Sequence, residues 1–454
     1  MAVLAGMEFL VFTAALCLVS LPHFDGESPL AEPRFAEILT RALLFAPVMS
    51  ISMTATGLYN ERQALSLIGL LTRIVVSSLG GVCVIALGSA LIPELGFGHE
   101  ALSLGVLLVI AGSAGCHYVV GKLAGEQVFK KRVLVYGAGR RAASLIQKQA
   151  AGNLGGFTTV GFIPALGDEP SAVSTERRIE LRDSLLEYCR EHEVTEIVVA
   201  MDDASTGFPF EGFLECRLAG IAVSDLTEFL ERETGQVRID LAHANWIVFS
   251  HGLARNSLQS QLERLFDVVA SFGLFALTWP LMMLTVIAIK IEDGPRATVL
   301  YQQTRVGERG QPFRLLKFRS MREDAERDGR PRWAAANDDR VTRVGRVIRK
   351  LRIDELPQML NVLNGEMSLV GPRPERPEFV SQLNTKIPLY RERHTIKPGI
   401  TGWAQLCYPY GSNETDAAAK LQYDLFYVKN RTLLFYLAIL VQTVEVILWG
   451  KGAR

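Results

Sequence analysis

The chain has 454 residues, 48 Lys and Arg balanced by 48 Asp and Glu, and a hydrophobic content of 49%. This length admits about three domains, and neutrality excludes a chain that is strongly basic or acidic throughout. Of the six cysteines, Cys17, Cys83 and Cys116 lie in apolar runs, and none has CxxC or Cys/His spacing, so neither a disulfide framework nor a zinc site is indicated.

The first 121 residues hold four apolar runs, at roughly 3–21, 36–58, 74–92 and 102–121. Each is near the ~20 residues that cross a hydrocarbon core, which predicts a four-helix transmembrane bundle over residues 1–125. The first run lacks a basic leading segment, and its exit, Ser20-Leu21-Pro22-His23, is a poor cleavage site, so it reads as a span and not a signal peptide. Asp25, Glu27 and Glu32 against Arg34 mark the first connection as outside, as do Glu94 and Glu100 the third. Arg62 and Arg73, and then Lys122, Lys130, Lys131 and Arg132, mark cytoplasmic ends by the positive-inside rule. Everything after residue 121 then begins in the cytosol.

From Arg132 the pattern becomes short β-branched runs alternating with helical stretches. A strand at Arg132–Tyr136, a glycine turn at Gly137-Ala138-Gly139, a helix over 141–151, strands at Thr158–Ile163 and Glu196–Ala200 and a helix near 178–192 predict a Rossmann-like parallel sheet over residues 126–250. A dinucleotide site needs an acid at the end of the second strand, yet Pro164 and Ala165 follow Ile163. Asp168 and Glu169 come late for that role. The incomplete fingerprint favours a structural or regulatory module over an NAD-type cofactor site, although Arg140 and Arg141 suit some anion at the helix start.

Residues 265–289 are a fifth apolar run, broken by Trp279-Pro280. Its length fits a span. Basic residues flank both ends, with Arg255 and Arg264 before and Lys290 and Arg296 after, so a span places one basic end outside. Pro280 removes a helix hydrogen bond and bends the axis, and a re-entrant hairpin over 264–290 keeps both ends on one face. Residues 296–350 then carry 15 Lys and Arg against 7 Asp and Glu. After a membrane element such a segment suits anionic lipid headgroups or a phosphorylated substrate, and few aromatics and no recognition helix argue against nucleic acid.

Within Arg349-Lys350-Leu351-Arg352-Ile353-Asp354-Glu355-Leu356-Pro357-Gln358, two adjacent carboxylates follow three cations at a predicted helix start. Ordinary capping chemistry accounts for Asp, Glu and Pro there. The same place suits phosphate chemistry, with a carboxylate as nucleophile or metal ligand. The last apolar run, Leu433–Trp449, contains Gln442 and Glu445 and is short for a span, so an interfacial helix is the better reading.

Several strings occur in order: Leu316-Lys317-Phe318-Arg319-Ser320-Met321, the Asp354-Glu355 run, Asn364 through Glu375 with Gly371-Pro372-Arg373-Pro374, Lys397 through Gln405, and Gln422-Tyr423-Asp424-Leu425-Phe426-Tyr427. Together they resemble the bacterial sugar transferases called polyprenyl-phosphate phosphoglycosyl transferases. The apolar first quarter and the glycine-turn domain look like the large members that start exopolysaccharide or O-antigen repeat units. The resemblance implies a catalytic domain over 255–454, with Asp354 as nucleophile and Glu355 as its neighbour assisting a bound Mg²⁺. It also implies Lys317, Arg319, Arg349, Arg373, Arg393 and Asp424 as substrate-site positions. By the same resemblance the partners are a UDP-sugar, polyprenyl (undecaprenyl) phosphate and membrane lipids, and a homodimer is allowed. Where the family often breaks its re-entrant helix with Ser-Pro, this chain has Trp279-Pro280, which leaves open how the freed backbone is satisfied.

Two rivals are weaker. A membrane-tethered nucleotide-sugar oxidoreductase needs a YxxxK on the strand-helix scaffold, but the only such spacing, Tyr118…Lys122, ends the fourth apolar run. A non-catalytic scaffold for polysaccharide assembly would not require Asp354, Glu355, Lys317 and Arg373 together.

Overall fold

A computed structural model describes residues 2–20, 32–59, 67–91, 99–128, 130–150, 154–169, 172–181, 184–203, 207–239, 257–322, 340–408 and 413–449. The chain divides into two compact units, Met1–Gln236 and Val237–Arg454.

The first unit opens with helices α1 (Ala2–Ser20), α2 (Glu32–Ala55), α3 (Leu67–Leu91) and α4 (His99–Val128). Helix α1 packs on α2 and α4, and α3 also lies against both of these. Phe12, Leu16, Phe45, Met49, Ile74 and Val109 form their shared core. Among the described residues, Gly69–Ala86 of α3, Leu102–Val120 of α4 and, in the second unit, Leu258–Asp293 are long and apolar enough to cross a membrane, whereas the apolar parts of α1 and α2, Leu4–Val19 and Ile38–Thr54, are shorter. Glu8 is fully buried among these helices, and the Tyr59 and Ser113 hydroxyls both donate to it. His117 lies 3.4 Å away. A carboxylate in apolar surroundings is tolerated when it is paired in this way.

Strands β1 (Lys131–Tyr136), β2 (Phe157–Ile163), β3 (Glu196–Val199) and β4 (Ala222–Asp225) form one parallel sheet in the order β2-β1-β3-β4. Alternation along β1 serves both faces. Val133 and Val135 enter a core with residues of helices α5 (Arg140–Ala150) and α8 (Leu226–Thr234), while Leu134 joins one with α6 (Leu185–Glu191) and α7 (Phe210–Leu218). The helix expected near 178–192 is shorter than its charged pattern implied. A 3₁₀ turn occupies Thr175–Arg177, and α6 starts only after Ser184, whose hydroxyl accepts the Glu187 N–H.

The glycine turn ends in a different chemistry from a dinucleotide site. Asp202 accepts the Arg140 and Arg141 N–H groups at 2.9 and 2.8 Å, and Asp168 accepts those of Ala138, Ala165 and Asp202 at 2.6, 2.9 and 3.1 Å. The donors that would face a phosphate are held by the protein's own carboxylates. Asp168, too late in sequence to hold a ribose, folds back as a bracket for the turn.

In the second unit, α9 (Ser257–Asp293) is one helix of 37 residues, and it continues through Pro280. Pro280 has no N–H for the Ala276 carbonyl. Two residues before it, the Thr278 hydroxyl donates to the Leu274 carbonyl at 2.7 Å, an added bond of the kind that bends helices. Both arms of α9 are anchored. Arg264 donates to the Val362 and Leu363 carbonyls at 2.5 and 2.7 Å. Asp267 accepts the Leu369 N–H at 2.8 Å, the Ser368 hydroxyl at 3.0 Å and the Tyr436 hydroxyl at 2.6 Å. At the other end Ile289 shares a core with Phe318, Ile348 and Ile353. Between the arms Phe272, Leu277, Trp279 and Leu284 are exposed.

An antiparallel hairpin, β5 (Leu300–Val306) and β6 (Pro312–Phe318), follows α9, and then come α10 (Arg343–Lys350), α11 (Gln358–Asn364), β7 (Ser368–Val370), α12 (Pro377–Lys386), β8 (Gly399–Thr401), α13 (Trp403–Cys407), α14 (Glu414–Asn430) and α15 (Leu433–Trp449). Strands β7 and β8 are parallel. Their junction requires glycine, because a Cβ on Gly371 would lie 2.4 Å from the Lys397 carbonyl oxygen, and one on Gly399 would lie 2.0 Å from the Gly371 nitrogen. That close crossing joins the Gly371-Pro372-Arg373-Pro374 and Pro398-Gly399 strings into one support.

Burial pushes the Asp202 carboxyl up, but the N–H groups of Arg141, Arg140 and Glu169 and the charge of Arg140 outweigh it and hold it below the ordinary carboxylate range. Its contribution is therefore present above the ordinary carboxylate pKa and is lost as pH falls through its depressed value. Asp202→Ala is expected to destabilise the sheet domain by about 1–2 kcal/mol, read as faster amide exchange over Arg140–Ala150 at neutral pH, with the difference from wild type shrinking in acid.

Candidate active site

The acidic pair stands on a 3₁₀ turn, Ile353–Glu355, between α10 and α11. Arg352 enters that turn with φ 58°, in the left-handed region, which costs a non-glycine residue about 1–2 kcal/mol. Ile353 is buried with Ile289, Phe318 and Ile348, which fixes the base of the turn. Asp354 is 8% exposed, and its carboxylate has no hydrogen bond or ion pair among the described residues. Burial and the adjacent Glu355 push its pKa up, while the charges of Lys317, Arg349 and Arg352 pull the other way.

Glu355 has the opposite surroundings. Its Oε1 lies 3.1 Å from Lys317 Nζ, 3.1 Å from Arg373 Nη2 and 3.9 Å from Arg352 Nη1. Burial alone would raise this carboxyl, but Arg373, Lys317 and Arg352 outweigh it and hold it well below the usual range. Burial pushes Lys317 down, against the pull of Glu355. All three cations meet Oε1, and Oε2 has no partner among the described residues.

Two struts hold these cations. The buried Asn361 side chain accepts the Leu316 N–H at 3.0 Å and donates to the Arg314 carbonyl at 2.8 Å, so a helix side chain serves β6 as a neighbouring strand would, one residue from Lys317. Its amide also donates to Glu366 at 2.7 Å. Arg373 is held by the Gln405 side chain at 3.3 Å and by its own carbonyl, which accepts from Arg393 at 3.0 Å. Arg393 is buried, pairs with Asp424 at 2.8 Å and donates to the Tyr390 hydroxyl at 2.8 Å. Burial opposes its charge, but Tyr390, Asp424 and Glu375 outweigh that and keep it cationic.

The structure thus brings Lys317, Arg373 and Glu355 into direct contact and sets Arg349 where its charge bears on Asp354. Arg393 and Asp424 lie behind Arg373 as a buried pair. Arg319 turns away from the carboxylates, pairing with Asp293 at 2.9 Å and donating to the Thr298 hydroxyl at 2.8 Å. Sequence reasoning counted Arg352 only among the cations before the acidic pair, and it missed Asn361 and Gln405. Asn361 left a signal, since an amide on the apolar side of a short helix is tolerated only if satisfied.

Residues 258–450 match the family model described as bacterial sugar transferase. The chain is 42% identical over 260 residues to a UDP-N-acetylgalactosamine-undecaprenyl-phosphate N-acetylgalactosaminephosphotransferase of Aeromonas hydrophila, covering 57% of this chain and 60% of that protein. It is 44% identical over 196 residues to a UDP-glucose:undecaprenyl-phosphate glucose-1-phosphate transferase of Caulobacter vibrioides, covering 42% of this chain and 71% of the relative. It is also 40% identical over 197 residues to an uncharacterized sugar transferase, EpsL, of Bacillus subtilis, covering 42% of this chain and 90% of that one. The chain belongs to the bacterial sugar transferase family, the polyprenyl-phosphate phosphoglycosyl transferases, and is an enzyme of that class.

Asp424→Asn removes the counter-charge of a buried guanidinium. The expected cost is about 3–5 kcal/mol, seen as a lowered midpoint of thermal unfolding in detergent, with Arg373→Ala, which lies outside the pair, costing much less.

Proposed function

We propose that the protein transfers a sugar 1-phosphate from a UDP-sugar to polyprenyl (undecaprenyl) phosphate, releasing UMP, as the first step of an exopolysaccharide, O-antigen or capsule repeat unit. The observation that carries this reading is the Asp354 carboxylate, which has no bonded partner among the described residues and stands in the field of Lys317, Arg349 and Arg352. A carboxylate without a partner is a poor structural element but a usable nucleophile.

In the first half-reaction an Asp354 oxygen attacks the sugar-bearing phosphorus. A phosphorus–oxygen bond to aspartate forms as the bond to the bridging oxygen breaks, and UMP leaves with that oxygen and its electron pair. An oxygen of the lipid phosphate then attacks the same phosphorus, Asp354 departs as a carboxylate, and polyprenyl diphosphate-sugar results. No proton has to move, so charge neutralisation is the main demand, and Lys317, Arg349 and Arg373 meet it. The donor set fits magnesium, which takes one or two carboxylates and completes its shell with water and substrate phosphate. Glu355 Oε2 is the group that would hold it, and the ion would add to the neutralisation of the diphosphate.

Membrane placement follows the same reading. A straight helix would separate Arg264 from Ile289 by about 37 Å. Their packing partners Val362 and Ile353 are only nine residues apart in sequence, along a 3₁₀ turn and a short helix. Both arms anchored to one unit, with an exposed apolar middle, favour a re-entrant α9 bent near Pro280. On this reading the active site faces the cytosol, the four helices of the first unit form a transmembrane bundle, and α15 lies in the interface.

Purified enzyme in lipid, given UDP-N-acetylgalactosamine or UDP-glucose without lipid acceptor, should release about one UMP per active site and retain a phosphosugar on Asp354. Asp354→Asn should do neither, and full turnover by that variant would remove Asp354 from the role. Single cysteines replacing Arg255 and Arg296 in a cysteine-free background should both be labelled only from the cytosolic side. Labelling from opposite sides would make α9 a span.

A further inference from the structure

The last turn of α9 ends in two adjacent carboxylates, and each holds an element that carries a cation of the active site. Asp293 pairs with Arg319, directly after the strand that bears Lys317. Glu292 reaches across 51 positions of sequence, accepting the Arg343 N–H at 2.7 Å through one oxygen and the Val344 N–H at 2.8 Å through the other. Those are the first two donors of α10, and the third, Gly345 N–H, is taken by the Thr342 hydroxyl at 2.8 Å. Glu292 forms no ion pair among the described residues, so this cap is all that its carboxylate does.

Satisfying donors is not reason enough for such a cap. The two N–H groups are near the surface, where water could serve them. A carboxylate from a distant helix adds position, together with a favourable charge at the helix start. The opposite side of α10 is equally constrained, because a Cβ on Gly345 would lie 2.0 Å from the Ser320 carbonyl oxygen. Helix α10 is thereby clamped between the membrane helix and the backbone that follows Lys317-Phe318-Arg319. At its far end, in the last turn, stands Arg349, whose charge bears on Asp354.

We propose that Glu292 is a positioning residue for the transfer reaction, acting through α10 to hold Arg349 at the end of the helix that packs on the Ile353–Glu355 turn, so that the site is fully assembled only when the membrane helix is seated. The inference rests on the reaction proposed above. It gives the paired arms of α9 a second purpose: the element that anchors the enzyme in lipid also sets the geometry of its charge field. Misplacement of a reacting array by about 1 Å can lower a rate by up to a hundredfold.

The test is a double-mutant cycle on kcat/KM for UMP release in lipid, using Glu292→Ala, Arg349→Ala and the double variant. Each single change should lower the rate about tenfold or more, and the double variant should be no worse than about twofold below Arg349→Ala, because Glu292 has nothing left to position. Glu414→Ala, which removes an exposed pair with Lys386, is the control, and its effect should multiply independently with that of Arg349→Ala. Wild-type rates from Glu292→Ala, or a double variant whose loss is the product of the two single losses, would overturn the proposal. If Glu292→Ala fails to accumulate in membranes, Glu292→Gln, which keeps one acceptor, should show the same non-additivity. Amide exchange supplies a readout independent of turnover. Exchange over residues 343–351 should quicken in Glu292→Ala, and an unchanged pattern would also defeat the proposal. An unaltered enzyme that releases no UMP from any UDP-sugar, yet shows that quickened exchange, would defeat the reaction and leave the clamp standing.

Discussion

One carboxylate oxygen, Glu355 Oε1, organises the catalytic unit. It draws Lys317 from the hairpin, Arg373 from the β7–β8 junction and, more loosely, Arg352 from its own turn onto one point. Three cations this close repel one another, so the arrangement stands only while Glu355 is ionised, and the same cations keep it ionised. Asp354, one residue earlier, has no such bonds and stands in the field of Lys317, Arg349 and Arg352. Two adjacent acids thus have opposite surroundings, Glu355 held by three cations and Asp354 without a bonded partner among the described residues.

The cost of gathering charge is met by buried supports of unlike kinds. Behind Arg373 is a buried ion pair, Arg393–Asp424, whose guanidinium also donates to the Tyr390 hydroxyl and the Arg373 carbonyl. Behind Lys317 is a neutral amide, Asn361, which continues a strand's hydrogen bonding with a side chain. Below the Ile353–Glu355 turn is an apolar cluster that includes Ile289 of α9. These supports hold the cations from behind and do not meet the acidic pair's carboxylates themselves.

Much of this was legible in sequence where a local pattern and a local structure coincide. The alternation of Val133, Leu134 and Val135, the glycine turn and the helix after it survive almost to the residue, because strand burial and turn chemistry are set by neighbours. Strand β4, four residues with Ser224 and Asp225 among them, left no such pattern. Lys317 and Arg319 looked alike because period two puts them on one face. The strand stops at Phe318, however, and the Arg319 N–H turns to the Val299 carbonyl, which sends its guanidinium to Asp293. Asn361, Gln405 and Glu292 were invisible for a simpler reason. Each acts across 32 to 51 residues of sequence, through geometry that only folding creates.

The glycine-turn domain shows the same physics with the opposite outcome. A helix start that follows a strand and a tight turn collects N–H donors and attracts an anion. In the catalytic unit a comparable helix start, that of α10, is filled by Glu292 and becomes a mechanical joint. In the sheet domain Asp202 and Asp168 fill the donors of the glycine turn in the same manner. A carboxylate delivered from elsewhere in the chain satisfies the donors as a phosphate would, and it never dissociates. Replacing an exchangeable anion by a tethered one turns a binding site into a fixed contact, which explains how a chain can retain the strand, the glycines and the helix of a nucleotide fold while using them to hold its parts in register.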